Sequence, residues 1–253
     1  MRFLLLFIGC WISHIAYSQA RVVHVVVALC DNVNQGIVPV PAKIGNGQDP
    51  ANNLYWGCAF GVNTFFKKQP EWRLLKTIAK PSADIYERLV FKHRDSLVYL
   101  VADAYNGAMI KQATFDLLHY AAGYAKLELK IDSTTVRFGG SADMIAYVGH
   151  NGLMDFQLSN LPKATDTKQR QAVILACASK PYFAAGIKKA GAYPLLWTTN
   201  LMCPEAYTLH AAVNAWVKHQ SPETVRTKAA EAYHLYQKCG IKGARNLLVT
   251  GFE

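Results

Sequence analysis

After its first twenty residues the chain has no apolar run near the roughly 20 residues needed to cross a bilayer as a helix. It has no CxxC pair, no HExxH, no GxSxG and no glycine-rich phosphate loop. These absences argue against a structural zinc site, a zinc peptidase, a serine α/β-hydrolase and a nucleotide site. Acidic residues are scarce, 17 against 27 Lys plus Arg in 253 residues. The basic excess is dispersed, with Lys67-Lys68 and Lys188-Lys189 only doublets. No basic stripe carries interleaved aromatics, so no nucleic-acid partner is expected. Neither an internal repeat nor a low-complexity linker divides the chain.

The first twenty residues read as a secretory signal peptide. Arg2 supplies a basic start, Phe3 to Ile12 an apolar segment, and Ser18-Gln19-Ala20 small residues suited to cleavage. A lipoprotein signal ending at Cys10 is the rival, but Phe7-Ile8-Gly9 suits it poorly. Cleavage after Ala20 would leave an exported chain, residues 21–253, without an integral membrane segment. Loss of Arg2 leaves 26 basic and 17 acidic residues, a net charge of +9. That length suits one α/β domain with a substantial core. Five cysteines remain: Cys30, Cys58, Cys177, Cys203 and Cys239. An odd number in an oxidising compartment leaves at least one thiol unpaired. Cys177 is the candidate for it, and the other four allow up to two disulfides in three pairings.

Strands and helices alternate along the chain. Val22–Leu29 is a valine-rich strand, with His24 a structural residue inside it. A loop rich in Gly, Pro and Asn follows from 33 to 48. Loops of that length are often functional, although a plain surface excursion is the simpler reading. Asp49-Pro50 forms an N-cap and first turn, predicting a helix over 51–68. Gly57 and Gly61 would share its sheet-facing side. Strands are predicted at 72–78, 88–93 and 96–102. A helix begins near Met109, with Ile110, Ala113, Leu117 and Tyr124 as its apolar stripe. A further helix covers 182–190, closed by Gly191, and a strand covers 195–199. The chain then turns helical over 204–218, through Leu209, Ala212, Val213 and Trp216. A last helix, capped by Ser221-Pro222 and ended by Gly240, buries Val225, Ala229, Ala232 and Tyr236. This alternation predicts a single doubly wound, mainly parallel sheet flanked by helices, with a helical C-terminal segment.

Two further apolar runs carry the functional signal. Met144–Gly149 ends in His150-Asn151-Gly152, and Ala172–Ala176 ends in Cys177-Ala178-Ser179. Short continuous apolar runs suit strands buried on both faces of a parallel sheet. Ligands and chemistry collect outside the carboxyl ends of such strands. Neighbouring strands lie about 4.8 Å apart, so side chains just past two adjacent ends can face one gap. A thiol and an imidazole there suffice for cysteine nucleophilic catalysis: the imidazole takes the thiol proton and returns it to the leaving group. Gly152 would let the loop aim amides at an oxyanion, and the Cys177 N–H is a second donor.

The order strand–His, spacer, strand–Ala176-Cys177 resembles the caspase-like cysteine peptidases, which include caspases, legumains, gingipains and separases. The resemblance rests on two short motifs within residues 21–202. It implies that the His and Cys follow adjacent parallel strands and act as a dyad, without metal or cofactor. It also implies that a Gly beside the His contributes an oxyanion donor. Here Asn151 stands in that position and Gly152 comes one residue later. The spacer is short for the family, yet able to hold a helix. Asp155 is placed to orient His150 or a substrate, a solvated loop acid being the plainer alternative. The resemblance implies that the segment after the next strand walls the substrate pocket, which makes Thr198, Thr199 and Asn200 candidates. An acid at the pocket would favour a basic substrate, and Asp103, at a predicted strand end, is the candidate acid. The reading is an exported cysteine hydrolase, a peptidase or amidase, acting on a peptide or protein substrate. The alternative is a non-catalytic exported α/β binding protein with a structural Cys177.

Overall fold

The computed structural model describes residues 20–253; the signal-peptide reading lies outside them. One eight-stranded sheet organises the chain. Its centre is β1 (Arg21–Ala28), with β4 (Val98–Tyr105) on one side and β7 (Met144–Val148) on the other, both parallel to it. β8 (Gln171–Leu175) and β9 (Tyr193–Thr198) extend the parallel part beyond β7. The sheet is mixed rather than parallel throughout. β2 (Trp72–Ser82) and β3 (Ile85–His93) form an antiparallel hairpin on the β4 edge. Two-residue β10 (Leu248–Val249) pairs antiparallel with β9 at the other edge.

β1 shows why the central runs are continuously apolar. Val23, Val25 and Val27 enter the core on one face of the sheet. Val22, Val26 and Ala28 enter the core on the other. The first face is covered by α1 (Val62–Lys67), α4 (Ala206–Val217), α5 (Pro222–Gln237) and α6 (Ile241–Leu247). The second is covered by α2 (Ile110–Ala121), α3 (Ser179–Lys189) and a separate hairpin of β5 (Lys126–Ile131) and β6 (Thr134–Gly139). Leu127, Leu129 and Ile131 alternate with charged residues in β5, the period-two pattern of a strand with one covered face.

Several expectations are corrected. Residues 51–61 form successive turns rather than helix, and only Val62–Lys67 is helical. The Asn53 side chain accepts from the Cys30 and Tyr55 amides and donates to the Cys30 and Asn46 carbonyls, tying the segment to the end of β1. Those bonds compete with an intrahelical ladder. Gly57 packs against its own turn: a Cβ there would lie 2.0 Å from the Ala51 carbonyl oxygen. Tyr124 falls beyond α2, and α5 buries Ala230 and Tyr233 in place of Ala232 and Tyr236. The spacer between β7 and β8 holds only a 3-10 turn, Gly152–Met154, and no α-helix. All five described cysteines are unpaired, so neither of the two disulfides that the count allowed is formed among them, and Cys177 is one of five free thiols. No helix among the described residues is long and apolar enough to cross a membrane.

Candidate active site

β7 and β8 pair in parallel, and Val148 stands opposite Leu175 at their last paired rung. His150 and Cys177 each lie two residues beyond that rung, at the same offset past neighbouring strand ends. The Gly149 N–H donates to the Leu175 carbonyl at 3.2 Å, carrying the pairing one step further. Gly149 passes so close to β1 that a Cβ would meet the Ala28 carbonyl oxygen at 2.8 Å. The Asn151 amide donates to the Cys177 carbonyl at 2.7 Å and tethers one strand end to the other. Its Oδ1 accepts from the Leu153 amide and starts the 3-10 turn.

The turn from β8 into α3 holds Cys177 in place. Ala178 takes a left-handed conformation, φ +47°, which costs a residue with a Cβ roughly 1–2 kcal/mol. Neighbouring bonds maintain that strain. The Ala178 N–H donates to the Asn200 carbonyl at 2.9 Å, and the Ser179 N–H donates to Thr198 Oγ1 at 3.0 Å. Thr198 Oγ1 also donates to the Ala176 carbonyl. The thiol itself lies between the Met202 N–H (3.4 Å) and the Met202 carbonyl (3.5 Å).

His150 is buried, and its Nε2 lies 2.8 Å from Asp155 Oδ2. A carboxylate only accepts, so Nε2 carries the proton of that bond and Nδ1 takes no part in it. The same Asp155 oxygen accepts from the Gly36 amide at 2.9 Å. A Cβ on Gly36 would fall 2.3 Å from Asp155 Oδ1, so any larger residue there would displace the carboxylate from this position. Asp155 thus holds both the imidazole and the loop that follows β1.

That loop is part of the site. Asp31 accepts from the Val33 and Asn34 amides and from the side chains of Asn34 and Gln48. Burial alone would raise its carboxyl; these four bonds outweigh that and hold it below the usual carboxylate range. The pinned loop runs along a cleft of about 380 Å³ that His150 and Cys177 share. Gly36, Ile37, Val38 and Val40 line it from the loop after β1, and Leu201–Glu205 line it from the segment after β9. Leu54, Tyr55, Gly149 and Met154 complete it.

No family model, curated protein or solved structure matches this chain.

The site therefore rests on its own geometry, and that geometry sorts the candidates. His150 and Cys177 line one cleft, and Asp155 bonds His150 without lining it. Gly149, on the other side of His150, borders the cleft, whereas Gly152 packs against Phe156 and Ile110. Thr198 is buried in the β8–α3 turn, and Thr199 bonds to the Asn246 carbonyl. Asn200 caps the Leu201 amide; the pocket wall begins at the next residue. Asp103 is inside β4 rather than beyond it. Arg88 donates to it twice, at 2.6 and 2.7 Å, and His24 Nε2 lies 3.0 Å away, all three away from the cleft. Burial pushes the Cys30 thiol, beside Tyr55, up to about 11. Burial likewise raises the Cys203 thiol and the Glu205 carboxyl. Among the described residues no cluster of His, Cys, Asp and Glu is placed to hold a metal ion. A larger groove of about 620 Å³ lies between α2 and residues 158–162, with no cysteine in it.

Proposed function

We propose that this chain is an exported cysteine hydrolase of the caspase-like kind, cleaving a peptide amide through Cys177 and His150. The observation that carries the reading is the placement of both residues at one offset past adjacent parallel strands, in one cleft, with His150 held by Asp155. Cys177 Sγ attacks the scissile carbonyl carbon as its proton passes to His150 Nδ1. The oxyanion that forms needs backbone N–H donors, and the Cys177 amide is the candidate beside the nucleophile. Collapse of that adduct releases the amine, which takes the proton from the imidazolium. Water, deprotonated by His150, then attacks the thioester and releases the acid, restoring the thiol. Asp155 keeps the imidazole in its working orientation throughout. Cys177→Ala and His150→Ala are each expected to abolish hydrolysis of a peptidyl coumarin amide and leave the circular dichroism spectrum unchanged. Retained hydrolysis by purified Cys177→Ala refutes the reading.

One observation favours a second reading. The Cys177 thiol has both a donor and an acceptor in Met202, as a structural thiol in a binding protein would. The two readings separate on iodoacetamide labelling at pH 7. The hydrolase requires fast labelling of Cys177 that His150→Ala slows, and the binding protein requires an inert Cys177.

A further inference from the structure

We infer that the cleft beside Cys177 selects a peptide substrate with an apolar side chain, such as Leu or Met, on the acyl side of the scissile bond. The inference rests on the hydrolase reading for the bond that is cut, and on the lining alone for the side chain that is bound. Val38, Leu54, Met154, Leu201 and Met202 face the cleft along with Tyr55. Three of them expose their side chains widely: Val38 is 86 % exposed, Leu201 67 % and Met154 42 %. Val38 comes from the loop after β1, Met154 from the turn after β7 and Leu201 from the segment after β9. Three separate strand ends thus bring unburied apolar side chains to one rim, where an apolar occupant would cover them.

Charge points the same way. His150 aside, Glu205 is the one ionisable side chain in the lining other than the thiols and Tyr55. Its Oε2 already accepts from the Tyr207 hydroxyl at 3.1 Å and from the Gln237 amide at 3.4 Å. Burial raises its carboxyl, which weakens it as a partner for a cation. Asp103, the acid that would have favoured a basic substrate, lies elsewhere. The two walls carry no Lys or Arg to receive an acidic side chain.

The experiment has two arms. Peptidyl coumarin amides differing only in the residue before the bond (Leu, Met, Ala, Arg, Asp) are hydrolysed by the wild-type chain. Peptides spanning the same bond are titrated calorimetrically into Cys177→Ala. We expect kcat/KM for Leu and Met to exceed Ala, Arg and Asp by at least about tenfold, with the same order in Kd. Val38→Ser and Leu201→Ser, both at exposed positions, should each narrow the Leu preference roughly threefold or more. Turnover favouring Arg and losing that preference in Glu205→Gln overturns the proposal. So does binding to Cys177→Ala that favours Asp or Arg, ignores the side chain or is absent. If the apolar order holds in binding while the wild type turns over none of the amides, the cleft assignment stands and the hydrolase reading fails.

Discussion

Replacing Asp155 isolates the positioning of the imidazole. Asp155→Asn keeps the shape and an acceptor for His150 Nε2 but removes the charge. A bond to a charged acceptor contributes about 1.5–3 kcal/mol and a neutral one about 0.5–1.5. The difference is about 1–1.5 kcal/mol. The Asp155 side chain is 31 % exposed, so solvent screening places the effect at the lower end, about 1 kcal/mol. At about 1.4 kcal/mol per tenfold, kcat/KM should fall roughly fivefold. Because His150 is buried and the Gly36 bond is retained, the loss should lie in kcat. Asp155→Ala removes both bonds and leaves a buried ring N–H without an acceptor, a penalty of about 1–3 kcal/mol. It should lower kcat/KM roughly 5- to 150-fold and raise KM, since the loop wall is released as well. Steady-state kinetics and the iodoacetamide labelling rate of Cys177 measure both variants. If both substitutions leave both rates within twofold of wild type in a folded protein, Asp155 does not position His150.

Other perturbations test the frame around the site. Asp103→Asn strands the buried Arg88 and should destabilise by about 3–5 kcal/mol, lowering Tm by roughly 6–20 °C by calorimetry. Burial alone would raise the Asp103 carboxyl, but the bonds from Arg88 and His24 outweigh it and hold it below its usual range. Its stabilising contribution is therefore complete above the ordinary carboxylate pKa and is lost as pH falls through the lower folded value. Urea unfolding below pH ~4 should show that loss, and a His24→Leu/Arg88→Met/Asp103→Leu variant should lack it. Burial pushes His93 and His210 below the ordinary histidine value. The unfolded chain then binds more protons just below pH ~6.5, so stability should fall on acidification through that range. His93→Gln/His210→Gln should flatten the slope. Gly57→Ala separates turn from helix: a helix would gain about 1 kcal/mol, whereas these turns should lose about 1–3 kcal/mol in urea unfolding.

The parts legible in the sequence are those where local pattern and tertiary environment agree. The runs Val22–Leu29, Met144–Gly149 and Ala172–Ala176 are apolar on both faces, and such a run has few stable places except the middle of a covered sheet. Ser221 was legible as a cap because its side chain accepts from the Thr224 amide three residues on, a local bond. His150 and Cys177 were legible for a related reason. Each follows directly on a readable strand, so chain position alone put them at a strand end.

Other features depended on distant partners. Residues 51–61 carry a good N-cap, and the bonds that undo the helix come from Cys30 and Asn46 through Asn53. Asp103 ends a predicted strand, yet β4 continues to Tyr105 because Arg88 and His24 neutralise a carboxylate that would otherwise be too costly to bury. The cleft is non-local throughout. Val38, Met154 and Leu201 are separated by more than forty residues at each step and share no periodicity.

The residues alone therefore determined the covered sheet and the two strand-end groups, because burial on both faces and position past a strand are properties of a few consecutive residues. Only the tertiary structure decided that Asp155 holds His150 and Gly36 together, that Asp103 belongs to the core, and that the walls beside Cys177 are apolar. Those outcomes depend on which side chains meet across sheet and loop, and hydrogen bonding and desolvation act on distances in space rather than along the chain.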